Sequence, residues 1–302
     1  MKERKDLRYA ILLAVAFLGG MPVFAQEEVK EEIKQEEDKR KPERPAFESS
    51  WLIDNQTSLV PKKGTFELMI QHRFGTMANG ITDLYGIWAP GNIRLGFSYT
   101  VIDKLGFGNL KGPLSIGFGT TKNSRIQDVN WKYSFLQQTK GGSIPVSITY
   151  YGNAGMETQV PKEELPNGNT SDRFSYFHQI IIARRFSSKL SAQVAPSISH
   201  YNVVKPGMKN DMIAVAVGAR YKLSPQSAVI VNIDQPITKF TNNNPYPNIG
   251  FGIEIATSSH AFQIFASSFD AIVPQKNNMY NQNDPYFKGL RIGFNITRLW
   301  NF

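Results

Sequence analysis

The sequence predicts an all-β protein: an antiparallel transmembrane β-barrel of about 12 strands, preceded by an N-terminal signal peptide and a charged leader. Three observations predict it. The chain ends on an alternating strand with terminal aromatics, LRIGFNITRLWNF. From Thr65 onward it reads as successive alternating strands near the ~9–11 residues that cross a bilayer when tilted. The segments between them alternate between long and short, as the two ends of a membrane barrel require.

The signal peptide comes first. Residues 1–25 carry a basic start (Lys2, Arg4, Lys5, Arg8), an apolar stretch from Ala10 to Gly20, and a small-residue cleavage site, Val23-Phe24-Ala25. The apolar stretch is too short for the ~20 residues of a membrane helix. A Sec-type signal cleaved after Ala25 is expected, so the mature chain leaves the cytoplasm. Residues 26–50 form the charged leader. EEVKEEIKQEEDKRKPERP holds no aromatic, and Glu27/Lys30, Glu31/Lys34 and Glu36/Lys39 stand at helical i,i+3 spacing until Pro42 and Pro45 interrupt. A solvated, disordered leader is expected, with a tether to a periplasmic partner as its functional alternative.

Residues 51–302 are then the barrel. Twelve strands are expected at approximately 65–73, 93–102, 113–121, 127–137, 144–152, 174–185, 189–201, 211–222, 227–237, 248–257, 261–270 and 288–299. Ile93, Leu95, Phe97, Tyr99 and Val101 oppose Arg94, Gly96, Ser98 and Thr100. Ile249, Phe251, Ile253 and Ile255 oppose Gly250, Gly252, Glu254 and Ala256. In 174–185, Ile180-Ile181-Ile182 is apolar on both faces and leaves the register open. In the last strand Leu290, Ile292, Phe294 and Ile296 face one way, against Arg291, Gly293, Asn295 and Thr297. Trp300 and Phe302 continue the apolar side. Phe294, Trp300 and Phe302 are the candidate assembly signal for the barrel-assembly machinery. With the N-terminus in the periplasm, the external loops cover 74–92, 122–126, 153–173, 202–210, 238–247 and 271–287. The opposite connections include tight turns at 186–188, 223–226 and 258–260, and longer ones near 103–112 and 138–143. A soluble β-sandwich also alternates in this way. The strand lengths and the aromatic C-terminus argue against it.

Composition excludes several classes. The 302 residues contain no cysteine, so disulfide scaffolds, thiol catalysis and cysteine metal sites are out. The mean hydropathy is -0.30 and no second long apolar run occurs, which excludes a helical membrane protein but not a barrel. The formal charge is +9. Removing 1–25 takes away four basic and two acidic side chains and leaves +7 (9 − 4 + 2). No nucleic-acid motif accompanies this charge, so its expected place is in loops and lumen, near anionic headgroups or anionic solutes. The G-x-G pairs at Gly117/Gly119 and Gly250/Gly252 precede no helix and are not phosphate cradles; bending or close packing in the wall is expected.

The segments FELMIQHRFGTMANGITDLYGI, NIRLGFSYTVIDKLGFG, IGFGTTKNSRIQDVNWKY, ARRFSSKLSAQVAPSISHYN and IGFNITR resemble a Bacteroidota outer-membrane β-barrel family of unknown function. The resemblance covers residues 50–302. It implies a β-barrel in the outer membrane and supplies no catalytic or binding residues.

Alternation places Glu67, Gln71, Arg73, Arg94, Lys132, Gln193, Arg220, Asp234, Glu254 and Arg291 toward the lumen. At least some of Arg94, Arg220 and Arg291 are expected to pair across it with Glu67, Asp234 and Glu254. A narrow barrel can fill itself with such pairs, whereas a wet lumen lets them set solute preference. The four histidines, His72, His178, His200 and His260, show no H-x-S spacing and no H-x-H, so no catalytic residue, metal or cofactor is expected. Loops 153–173 and 271–287 are candidates for ligand recognition, but their Asn-, Pro- and Lys-rich composition equally suits solvated loops. The expected function is a non-enzymatic, monomeric outer-membrane barrel, either a narrow passive channel for a small solute or a structural or interaction barrel with an occluded lumen. Outer-membrane lipid and the assembly machinery are its expected partners, and nucleic acid is not one. An outer-membrane phospholipid hydrolase is the alternative.

Overall fold

A computed structural model describes residues 31–302, apart from 33, 37, 38 and 109. The expected signal peptide, its cleavage after Ala25 and the start of the leader lie outside the described residues. A short hairpin, β1 (Trp51–Leu52) and β2 (Asn55–Gln56), precedes twelve long strands. These are β3 (Thr65–Thr76), β4 (Asn92–Phe107), β5 (Leu110–Thr121), β6 (Ile126–Leu136), β7 (Ser147–Glu157), β8 (Phe174–Arg185), β9 (Leu190–Tyr201), β10 (Asp211–Lys222), β11 (Ser227–Pro236), β12 (Asn248–Ala256), β13 (His260–Ser267) and β14 (Arg291–Asn301). A helix, α1 (Pro274–Tyr280), interrupts the last connection.

Strands β3 to β14 pair antiparallel, each with its sequence neighbour, and β14 closes on β3 with Thr65 opposite Asn301. Closure removes every sheet edge, which a wall in lipid requires. The end holding Thr65 and Asn301 is called the near end. Its connections are short except for 137–146, and the far-end connections at 77–91, 158–173 and 268–290 are long. The wall is inside-out relative to a soluble protein. Leu95, Phe97, Phe118, Val217, Ile253 and Ile264 are exposed on the outside, while Gln71, Arg94, Asn232 and Glu254 are buried inside. A soluble sandwich would bury the first set.

Three elements differ from the sequence reading, and the open register of β8 is decided. Strand β7 runs to Glu157, beyond the expected end near 152. The Trp131 indole of β6 lies where a Cβ on Gly152 would sit, so the glycine makes room and pairing continues. The connection near 103–112 is no long loop, because β4 and β5 extend through it, with bulges between Thr100 and Leu105. In β8, Ile181 turns inward between Phe177 and Ala183, and Ile180 faces out. Residues 269–281 are largely buried rather than solvated.

Candidate functional site: the barrel lumen

The lumen is filled by the chain's own N-terminal segment. Residues 46–58, expected as the end of a free leader and the start of the barrel ahead of its first strand, enter from the near end. The leader is held there by Glu43 N–H donating to Gln138 O at 2.7 Å and by a bridge between Pro42 and Thr139. Hairpin β1–β2 then carries the chain to a tip at Ile53 and Asp54, and residues 57–64 return to β3. Ile53 has φ +59°, a left-handed conformation rare for a β-branched residue. Its own neighbours hold it. Ile53 N–H donates to Gln263 Oε1 at 3.1 Å, and its carbonyl accepts from Arg73 at 3.2 Å and from Asn295 at 2.7 Å.

Wall side chains from around the barrel satisfy four further backbone carbonyls of this segment. Gln263 donates to Trp51 O at 2.7 Å, Gln193 to Gln56 O at 2.8 Å, Lys132 to Ser50 O at 3.2 Å and Thr149 to Ser58 O at 3.1 Å. A buried segment without a sheet of its own needs such partners, since each orphaned peptide group costs about 1–3 kcal/mol. The apolar residues Phe47, Leu52 and Ile53 pack with inward Ala183, Ile230 and Phe265. Gly218 and Gly250 form the seats: a Cβ on Gly218 would overlap Leu52 Cδ2, and one on Gly250 would lie 2.8 Å from Ile53 Cγ2. The glycines of these strands therefore serve the close packing expected of them, partly against the hairpin.

Charges lie in the wall around this filling. Arg94 makes a two-pronged pair with Asp128, Nε to Oδ2 at 2.9 Å and NH2 to Oδ1 at 2.8 Å, and also donates to Gln71 at 3.1 Å. Asn153 and Asn130 complete the Asp128 carboxylate at 2.8 and 3.1 Å. Arg220 Nε meets Glu254 Oε1 at 2.6 Å, and Gln263 bonds the other oxygen at 2.9 Å. Glu67 accepts from Ser50 and from Ser98. Lys132 reaches Gln56 at 2.8 Å.

Of the residues expected to pair across the lumen, Arg220 and Glu254 meet, while three others do not pair within that set. Arg94 takes Asp128, not Glu67 or Asp234. Arg291 sits at the far rim and donates to Asn283 at 3.1 Å. Asp234 is buried on β11 without an arginine partner, and its Oδ1 has no hydrogen bond. Arg73 is fully buried, bonds Asn295 at 2.9 Å, and lies 4.6 Å over the Phe265 ring. Asp128 escaped the sequence reading although it shares parity with Lys132 on the same strand. Trp51 and Gln56 had no such signal, because they lie outside the wall.

Helix α1 closes the far mouth. Gln275 donates to Asn153 at 2.8 Å, Asn278 accepts from Asn248 at 2.9 Å, and Lys276 pairs with Glu157 at 2.9 Å. Met279 packs with Tyr201, Met212 and Phe240. Burial, reinforced by the Glu157 carboxylate, pushes the Tyr280 phenol up to about 12, so it stays neutral. Small cavities lie between each filling and the wall. One of about 90 Å³ is bordered by Asn92, Asp270 and Asn277, and one of about 20 Å³ by Trp51, Glu67 and Lys132. They have room for a few waters and not for a solute.

A closed antiparallel wall, apolar outside and polar inside, decides the kind of protein. The chain belongs to the family of membrane-bound beta barrel domains, DUF5777. The family model matches residues 47–300, so it takes in the lumenal hairpin as well as the wall. None of the curated proteins matches the sequence. Among solved structures the chain is similar to the NanC porin, at 8% identity over 78% of this chain and 99% of that one, with a TM-score of 0.45. The KdgM porin matches at 8% identity over 79% and 99%, TM-score 0.43. An outer membrane channel from Pseudomonas putida F1 matches at 9% identity over 80% and 97%, TM-score 0.47.

The histidines of this membrane-bound barrel sit on its outside and rims. His72 stacks on Phe294 at 5.3 Å, His178 Nδ1 meets Tyr150 OH at 2.7 Å, and His200 pairs with Asp211 at 2.7 Å. Among the described residues, the one serine–histidine hydrogen bond joins neighbours Ser259 and His260 at 3.0 Å, in a near-end turn. The terminal aromatics form a near-end cluster, with Trp300 5.7 Å from Phe66 and the Arg298 guanidinium 4.5 Å from the indole. Phe302 N–H donates to Gly64 O at 3.2 Å.

Proposed function

We propose that this chain is a non-enzymatic β-barrel of the Bacteroidota outer membrane, held shut by its own N-terminal hairpin and serving as a structural or interaction barrel. The carrying observation is the hairpin at residues 46–58, hydrogen-bonded to wall strands around the lumen while α1 covers the other mouth. A passive channel needs a continuous wet path, and here lumenal charges bond the hairpin or each other. The near end, with short turns, is the periplasmic one and the long far-end loops face outward. The signal peptide supports export, and Phe294, Trp300 and Phe302 support insertion by the barrel-assembly machinery as a monomer. Against a phospholipid hydrolase stands the Ser259–His260 contact. It joins adjacent turn residues, no third side chain among the described residues orients the imidazole, and it lies at the end opposite the outer leaflet.

Full-length protein refolded in detergent and added to planar bilayers tests the reading. Electrical silence is expected. A steady discrete conductance would overturn the closed barrel in favour of a narrow passive channel. Release of fatty acid from phospholipid vesicles would instead favour the hydrolase.

A further inference from the structure

We propose that the near-end rim binds the phosphate of an anionic phospholipid, at a site built jointly by the leader and two turns. A cavity of about 530 Å³ opens there, bordered by Glu43 and Arg44 of the leader, Lys140 of the 137–146 turn, and Arg184, Arg185 and Phe186 at the end of β8. Four cations face one carboxylate. Glu43 leans on Arg185 at 3.9 Å, and Arg185 also points to Pro45 O at 3.4 Å. Among the described residues, no carboxylate lies within ion-pair distance of Arg44, Lys140 or Arg184. Three cations without counter-ions around one cavity make a site for a compact anion.

The position on the barrel selects the source of that anion. Arg184 follows outward-facing Ile180 and Ile182 in the β8 alternation, so it stands on the lipid side of the wall. Its guanidinium lies 5.3 Å from the exposed Phe186 ring. An aromatic and an arginine together at the end of a membrane strand mark the headgroup level. Basic pockets at that level take phosphate headgroups. The backbone of the site is fixed. Gln138 and Arg185 exchange two bonds at 2.8 and 2.9 Å, and Gly141 N–H and Lys140 N–H donate to leader carbonyls at 2.8 and 3.1 Å. A lipid bridging Arg44 to Lys140 and Arg184 would therefore also fasten the leader, and with it the hairpin, to the wall. This rests on the proposed orientation, which puts the near end in the phospholipid leaflet.

Full-length protein in a neutral detergent is titrated with phosphatidylglycerol, phosphatidylcholine or inorganic phosphate, and bound lipid is read by native mass spectrometry. Phosphatidylglycerol is expected to bind at least about fivefold tighter than phosphatidylcholine. Arg44→Gln/Lys140→Gln/Arg184→Gln should abolish the preference, and the far-end control Lys205→Gln should keep it. Folding of each variant is checked by heat-modifiable gel mobility. If the triple variant does not refold, Arg184→Gln alone at its exposed position is read, with about a twofold loss expected. Equal binding of the two lipids, or a preference surviving in the substituted protein, overturns the site. Displacement by an equal concentration of inorganic phosphate overturns the lipid as its ligand. Bilayer conductance is measured separately, so an open pore would overturn the closed barrel and leave the lipid preference standing.

Discussion

Asn277 of α1 donates to Asp54 Oδ2 at 2.7 Å, so the filling that enters from one end of the barrel meets the filling that enters from the other. Asn277 also donates to Ala271 O at 2.9 Å, which ties the contact to the far-end connection. Both side chains are buried. Asn277→Ala leaves the Asp54 oxygen without its donor, and a loss of about 1–3 kcal/mol is expected in urea unfolding of the refolded barrel. An unchanged midpoint would show that the two fillings do not support each other.

Gly218 is expected to discriminate between a seated and an absent hairpin. Gly218→Val forces its new side chain into Leu52, and overpacking of this kind typically costs about 1–3 kcal/mol. Adding Leu52→Ala should recover most of that loss, giving a clear coupling in a double-mutant cycle. Additive effects would mean that Leu52 does not sit against Gly218.

Two buried ion pairs should respond alike. Glu254→Gln leaves Arg220 uncompensated, and Asp128→Asn does the same to Arg94. Losing one partner of a buried pair typically costs about 3–5 kcal/mol. A loss below about 1 kcal/mol in either variant, the value for exposed pairs, would mean water reaches that pair and the lumen is wetter than the hairpin allows.

Facing is tested on β10. Val215 points outward, and Val215→Arg near the bilayer midplane should cost about 2–4 kcal/mol. A wet lumen would make Ala216→Arg cheaper. Ala216 instead packs with Tyr151, Phe177, Ile181 and Ala195, so Ala216→Arg is expected to cost at least as much. A tolerated Ala216→Arg would contradict the filled interior.

Deleting Phe302 separates assembly from stability. The residue is 89% exposed and makes one backbone bond to Gly64. Stability of the refolded protein should change by no more than about 1 kcal/mol, whereas the inserted fraction in cells should fall. Normal insertion would remove the terminal aromatic as an assembly signal.

The wall was legible from sequence because a period of two is a local property. Ile93 to Val101 and Ile249 to Ala256 show their two faces without any partner, and twelve such runs with uneven connections specify a barrel. The inward positions of Arg94, Lys132, Arg220 and Glu254 follow from the same parity. What the lumen contains does not. Trp51, Leu52 and Ile53 lie in a stretch with no alternation, and Gln275 to Met279 read as a polar loop. Their burial depends on contacts more than 120 residues away, such as Gln275 with Asn153 and Ile53 with Gln263. The same arginine can face water or a neighbour's carboxylate with one local pattern. Only the tertiary structure decided the rest: consecutive pairing sets β4 and β6 on either side of β5, so that Arg94 meets Asp128 across it, and closure of β14 on β3 leaves a space the width of a hairpin that residues 46–58 occupy.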